Sequence, residues 1–301
     1  MAEPRVGVVL VDYRKGDRVV ANVRSLLHQY PATRLDIAVI DNSADAENAA
    51  RLAPLHDLPG MRVVINAANI GYTAACNQGA ALVGGDFLLL LNPDILWTQA
   101  DALRRLVAFM GAHPGVGIAG PRQVNDDGTT PRTARRFPSP WAQLARRSAL
   151  ARAPGFARSI DAYEAADLDY GRTQTVDWLQ SSCVLVRRDL WDAIGGLDRR
   201  FFLFMADCVL CWRAWERGRA VAHVAEAQVT ADGIRASAGG LRAVFRNPAV
   251  RHHLRDAALY HLEYLGRPSP RRDAGASFAV APLENAQRGT GEIAQEPSPS
   301  P

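Results

Sequence analysis

The sequence predicts an α/β protein built on a mostly parallel sheet flanked by helices. Short apolar runs recur at Val6–Asp12, Leu35–Ile40, Met61–Ile65 and Asp86–Leu91, each of a length suited to a strand buried on both faces. Segments of helical periodicity separate several of them. The connections are short, which favours parallel strands joined by crossover helices.

Taken in order, the first strand is followed by a helix whose apolar positions Val19, Val23, Leu26 and Leu27 share one face, with Asp17 placed to cap it. The second strand ends in Asp41-Asn42-Ser43. After the third comes a helix from Thr73 to Val83, and the fourth strand ends in Asn92-Pro93-Asp94. Gln99 to His113 reads as another helix. From Pro121 to Arg172 the pattern loosens into Arg, Pro and Ala, with one helix expected around Trp141 to Ala151. Regularity returns at Val176, with a strand from Cys183 to Arg188, a short helix from Asp189 and a helix from Met205 to Arg217. A strand region follows from Val221 to Thr230, then a basic helical segment from Leu241 to Leu265. Beyond Pro268 the composition is that of a disordered tail.

Composition narrows the function classes. A net charge of +4 is too mild to imply nucleic acid. Its distribution says more, because Arg132 to Arg158 holds seven Arg and no acid, a block suited to an anionic partner or a solvated loop. No apolar stretch is long enough to span a bilayer, and the first residues lack a signal-peptide succession, so the expectation is a cytoplasmic protein. Cys208-x-x-Cys211 has no second pair to complete a zinc site and lies within a helix, which points to buried free thiols.

In a sheet of this kind ligands bind beyond the carboxyl ends of the strands. That directs attention to Tyr13, Asp41, Asn69 and Asn92 to Asp94. A carboxylate at the end of a buried strand carries a desolvation cost unless donors or a cation meet it, and a divalent ion bridging Asp94 to a diphosphate would do so. The plain alternative is a turn, since Asn-Pro-Asp is turn chemistry. Asp41 could accept a base N–H or ribose hydroxyls, or cap the helix after Ala44. Tyr13 could stack on a base. Gly71 permits close backbone approach, and the helix start beside it favours phosphate, although it could equally be an ordinary turn glycine. Asp207, at a predicted helix start among apolar residues, suits a general base, with a helix-capping role as the alternative.

The ordered set Asp41-Asn42-Ser43, Asn69-x-Gly71 with Asn77, Asn92-Pro93-Asp94, Asp177-Trp178, Gly195-Gly196-Leu197-Asp198, Phe201-Phe202 and Leu210-Cys211-Trp212-Arg213 resembles the inverting family-2 glycosyltransferases of GT-A fold. Within that family it looks most like bacterial rhamnosyltransferases of cell-wall and O-antigen synthesis. The resemblance runs from about Arg5 to Ser237. It implies that residues 1–120 form the nucleotide-sugar half and 121–240 the acceptor and catalytic half of one domain, followed by a basic helical segment at 241–267 and a tail at 268–301. It further implies that Tyr13 and Asp41 hold the nucleobase, and that Asn69, Gly71, Asn77 and Asn92 shape the donor pocket. Asp94 would ligate Mg²⁺ or Mn²⁺, Asp177 and Trp178 would lie on the acceptor side, and Asp207 would deprotonate the acceptor. The implied partners are a nucleotide-sugar donor and a glycan or polyprenyl-diphosphate acceptor. Such an acceptor would lie at the inner membrane face, where the Arg-rich segments with Phe137, Trp141 and Phe156, and Arg242, Arg246, Arg251, His252, His253 and Arg255, would make peripheral contact.

The chain departs from that family pattern. Where the family usually reads Glu-Asp-x-Asp, this chain has Ala206-Asp207-Cys208-Val209, and Ala231 stands where a His is expected. His223 and Asp232 are the nearby polar substitutes. A degenerate relative that binds the sugar nucleotide, or supports a partner enzyme, without turnover is therefore the alternative to an active transferase.

Overall fold

The computed structural model describes residues 3–138, 160–161, 163–232 and 248–271. The helix expected at Trp141 to Ala151, together with Phe156, Arg242, Arg246 and the tail expected after Pro268 from residue 272 on, lies outside the described residues. In chain order the elements are β1 (Val6–Asp12), α1 (Gly16–Leu27), β2 (Leu35–Asp41), α2 (Ala46–Arg51), β3 (Met61–Ile65), α3 (Tyr72–Leu82), β4 (Phe87–Leu91), β5 (Ile95–Leu96), α4 (Ala102–Ala112) and β6 (Val116–Asn125). There follow β7 (Ala134–Arg135), β8 (Gln174–Thr175), β9 (Trp178–Leu179), β10 (Cys183–Arg187), α5 (Arg188–Ile194), α6 (Ala206–Glu216), β11 (Ala220–Ala231) and α7 (Pro248–Tyr264).

One sheet organises both halves. Its strand order is β3-β2-β1-β4-β10-β6-β11-β5, with β8 added to β11. The first four of these strands run parallel, as do β6 and β11, while β10 is antiparallel to both of its neighbours. β1 and β4 are buried along their whole length, which is why they read as unbroken apolar runs. Each of Leu88 to Leu91 contributes about 1.5–3 kcal/mol of apolar burial.

Strand β6 was not legible as a strand, because Gly117, Gly120 and Pro121 interrupt its apolar run. Its neighbour shows how Pro121 is accommodated. Val224 of β11 pairs with Pro121 and Gln228 with Arg122, so Ala225, Glu226 and Ala227 bulge out where the proline has no N–H to give. Asp17 does not cap α1 and is largely exposed in its first turn. The first amides of that helix are met by Asp12, which accepts from Lys15 at 2.9 Å, and by Asn48, which accepts from Gly16 at 3.0 Å. Helix α2 is capped by Asp45 rather than by Asp41. All four cysteines are free and buried, and burial pushes the Cys76 thiol up to about 12.

Candidate active site

Strand direction gathers the polar residues at one edge. β1 and β2 end there in Asp12 and Asp41, and β4 ends there just before Asn92. The antiparallel β10 begins at the same edge, where Cys183 pairs with Leu91 and the Asn92 N–H donates to the Ser182 carbonyl at 2.8 Å. β11 also ends there. Ala231 pairs antiparallel with Ile95, so one step further out Asp232 stands opposite Asp94.

Asp94 and Asp232 therefore form a cross-strand carboxylate pair. Burial pushes the Asp94 carboxyl up, and the charge of Asp232 adds to that rise, while Lys15 and Arg18 oppose it. The same two cations hold the almost fully buried Asp232, with Lys15 Nζ at 3.4 Å and Arg18 Nε at 3.7 Å. Among the described residues no group of three or more His, Cys, Asp or Glu gathers as a metal site. Two carboxylates are nevertheless a fitting donor set for Mg²⁺, which commonly binds through one or two of them plus the substrate phosphates. His223 is not part of this site. It lies nine residues before Asp232, and its partner Gly120 sits five residues before Asn125, the partner of Ala231. That puts it on the order of 15–20 Å from that end at strand rise, where it contacts the Tyr170 carbonyl at 3.1 Å.

The donor side is a web of short polar contacts. Asp41 Oδ1 accepts from the Ser43 N–H at 2.8 Å, whereas Asp41 Oδ2 is buried without a hydrogen-bond partner among the described residues. A buried unpaired carboxylate oxygen calls for a donor. Beside it, Asp12 accepts from Asn48 Nδ2 at 2.6 Å, and burial raises its carboxyl. Tyr13 is 51% exposed, with the Arg14 guanidinium over one side of its ring at 5.6 Å from the centroid. Asn42 donates to Asn69 Oδ1 at 2.8 Å and accepts from the Ile70 N–H at 3.1 Å. Asn69 Oδ1 also accepts from the Gly71 N–H at 2.9 Å, which shapes the turn into α3.

Several predicted residues make defined protein contacts. Gly71 has φ +88°, and a Cβ there would come within 2.7 Å of the Phe202 ring, so its close approach is to that ring. The Tyr72 N–H at the start of α3 donates to the Phe202 carbonyl at 2.8 Å. Asn77 exchanges two hydrogen bonds with the Leu197 backbone, at 2.7 and 2.9 Å, and pins the Gly195-Gly196 turn. Asp177 accepts from the Phe137 N–H at 2.9 Å and pairs with Arg271 at 2.6 Å. Trp178 is buried, its Nε1 donating to the Arg136 carbonyl.

Across from the donor side, Met205 takes a left-handed conformation (φ +64°) and α6 begins with Ala206-Asp207. The Asp207 carboxylate accepts from the Cys208 N–H at 2.9 Å and the Ser181 N–H at 3.4 Å. Burial pushes it up to about 6, and those two N–H groups hold it back only in part. Ser181 in turn accepts from the Tyr72 hydroxyl at 3.1 Å. A chain of contacts thus runs from Asp207 through Ser181-Ser182 to Asn92-Pro93-Asp94 and on to Asp232. Ala206 and Val209 are both buried. Sequence reasoning missed Lys15, Arg18 and Tyr72. Their only signals are two cations just past the first strand and a tyrosine beside Gly71.

The strand order and the polar edge define a GT-A glycosyltransferase fold. Solved structures share it. A mannosyltransferase from Pyrobaculum calidifontis, in complex with GDP-Man and Mn²⁺, aligns with a TM-score of 0.53 at 16% identity over 97% of this chain and 77% of that one. The structure of GalNAc-T7 with UDP, GalNAc and Mn²⁺ aligns at 0.55, also with 16% identity, over 96% of this chain and 56% of that one. The family model "Glycosyl transferase family 2" matches residues 8–168, more than half of the chain, and the chain belongs to that family. A relative from Mycobacterium tuberculosis, N-acetylglucosaminyl-diphospho-decaprenol L-rhamnosyltransferase, is 28% identical over 236 residues, which is 74% of each chain.

Proposed function

We propose that this glycosyltransferase moves a deoxyhexose, with rhamnose the foremost candidate, from a nucleoside diphosphate to a hydroxyl of a glycan or polyprenyl-diphosphate-linked acceptor, with inversion. The observation that carries this reading is Asp207, a buried carboxylate raised to about 6 and joined through Ser181-Ser182 to the Asn92-Pro93-Asp94 edge. A base of that kind is ionised at neutral pH yet basic enough to take a hydroxyl proton. The name of the Mycobacterium tuberculosis relative supports rhamnose and a lipid-diphosphate acceptor.

In this reading Asp41 Oδ2 accepts an N–H of the nucleobase, and Tyr13 stacks on it. Asp94 and Asp232 would hold Mg²⁺ or Mn²⁺, which when bound stabilises the charge of the diphosphate. Lys15 and Arg18 add positive charge on the same side. Asp207 takes the proton from the acceptor hydroxyl as its oxygen bonds to the anomeric carbon. The bond from that carbon to the β-phosphate oxygen breaks, and the electron pair leaves on the nucleoside diphosphate. Attack opposite the leaving group inverts the centre, and it requires base and diphosphate on opposite sides of the sugar.

No helix among the described residues is long and apolar enough to cross a membrane. Helix α7 exposes Leu254 and Leu262 beside Arg251 and Arg255, with Leu265 just past its end, a surface that supports peripheral contact with an anionic bilayer. His252 and His253 do not share that surface, because they pack on Phe202 and Phe204. The deciding experiment titrates dTDP-, UDP- and GDP-sugars with and without Mn²⁺ and follows both binding and diphosphate release. Metal-dependent release from dTDP-rhamnose is the expected result. Tight binding with no release under any acceptor would replace a transferase with a binding protein.

A further inference from the structure

The segment Phe201–Met205 leads into Asp207 without belonging to a helix or strand. Its backbone groups need partners, and they find them on two sides. Towards the donor half, the Phe201 carbonyl accepts from the Thr73 hydroxyl, and the Phe202 carbonyl accepts from the Tyr72 N–H at 2.8 Å. On the other side, three successive amides converge on one carboxylate of α7. Asp256 accepts from Phe202 at 3.2 Å, from Leu203 at 3.0 Å and from Phe204 at 2.9 Å. Asp256 has no exposed surface and pairs with Arg255 at 3.5 Å. The ring of His252 stacks on Phe202 with centroids 4.0 Å apart, and His253 meets Phe204 edge-on at 4.4 Å.

A buried carboxylate is expensive unless its lone pairs are used, and consecutive amide N–H groups form an anion-binding concavity that uses them. The arrangement is a clamp, with one carboxyl side chain of a helix fixing a loop of irregular backbone. That loop touches the turn into α3 at one end and delivers the base at the other.

We propose that Asp256 is a positioning residue for transfer, holding the Phe202–Phe204 backbone so that Asp207 stays in register with the donor side. The clamp stands on contacts alone. Its part in turnover rests on Asp207 being the base, as set out under the proposed function.

The test compares the full-length wild type with D256N and D256A. Asn keeps the shape and one acceptor oxygen, so D256N folds even where D256A does not. Hydrogen exchange is followed by peptide across residues 200–210, with α3 and β2 as internal references. Turnover is followed as diphosphate release from dTDP-rhamnose with Mn²⁺. In D256N the amides of 202–208 are expected to exchange faster by about 10-fold while the references hold. The value of kcat is expected to fall about 10- to 100-fold with donor KM within a few-fold, as for a misplaced catalytic group. Unchanged exchange at 202–208 would overturn the clamp. Faster exchange with wild-type kcat, or a kcat loss no larger than the loss of folded protein, would overturn the positioning role. If the wild type itself releases no diphosphate, the transferase reading fails, and the exchange data still decide the clamp.

Discussion

At the ends of β1 and β2, Asp12 and Asp41 sit in a web of contacts: the Asn48 side chain donates to Asp12, the Ser43 N–H donates to Asp41, and the Asn42 side chain donates to Asn69. At the start of α6, Asp207 stands among Ala206, Cys208 and Val209, all buried, and among the described residues its hydrogen bonds come from backbone N–H groups. The two regions fix a carboxylate by different means. On the donor side many polar side chains share the task, so no single loss empties it. On the base side the fold of the backbone does the work, and a single carboxylate is left to carry the chemistry.

The hardest test of that contrast is Asp207→Asn. It is expected to lower kcat by about 10²–10⁴-fold, the usual worth of a general base, with nucleotide binding kept. In the wild type the rate should climb with pH through about 6 and level off above it, as the base loses its proton. Stability should move the opposite way. A carboxyl raised from 3.8 to about 6 binds its proton more tightly in the folded chain, so folding loses stability as pH rises between those values. Asp207→Asn is therefore expected to melt higher than wild type at pH 7.5, with the gain gone near pH 4.

Next in size come Asp94→Asn and Asp232→Asn. Each is expected to weaken Mn²⁺-dependent nucleotide binding by about 10- to 100-fold, on the scale at which altered metal surroundings act. Equal losses without added metal would assign the pair to structure alone. Asp41→Ala should cost about 1.5–3 kcal/mol of nucleotide affinity, the worth of a hydrogen bond to a charged group, as read by calorimetry. The smallest expected change in chemistry is Gly71→Ala. Its Cβ would meet the Phe202 ring at 2.7 Å in a left-handed backbone, so about 1–3 kcal/mol of stability should be lost in denaturant melts.

Much of the first wall was legible because strands buried on both faces announce their own ends. Leu88 to Leu91 pointed to Asn92-Pro93-Asp94, and Leu35 to Ile40 pointed to Asp41. The second wall was harder to read. Asp232 meets Asp94 only through the pairing of β5 with β11, and no local pattern encodes a contact between strands so far apart in sequence. His223 was an equally good candidate by sequence, and the strand's length removes it. Ala206 and Val209 looked like missing acids in a polar site. Both side chains are buried in the structure, so an acid placed at either position would need partners to offset its desolvation. Asn77, read on the donor side, and Asp177, read on the acceptor side, also fix the backbone of Leu197 and Phe137.

The bulge at Ala225 to Ala227 divides β11 into two ladders, one ending at Val224 and one from Gln228 to Ala231. Residues gained or lost within the bulge would change its contacts with Thr173 and Gln99 and leave the second ladder's pairing with β5 and β6 in place. The strand can thus absorb changes of length during evolution upstream of Asp232 without shifting the carboxylate from its seat opposite Asp94.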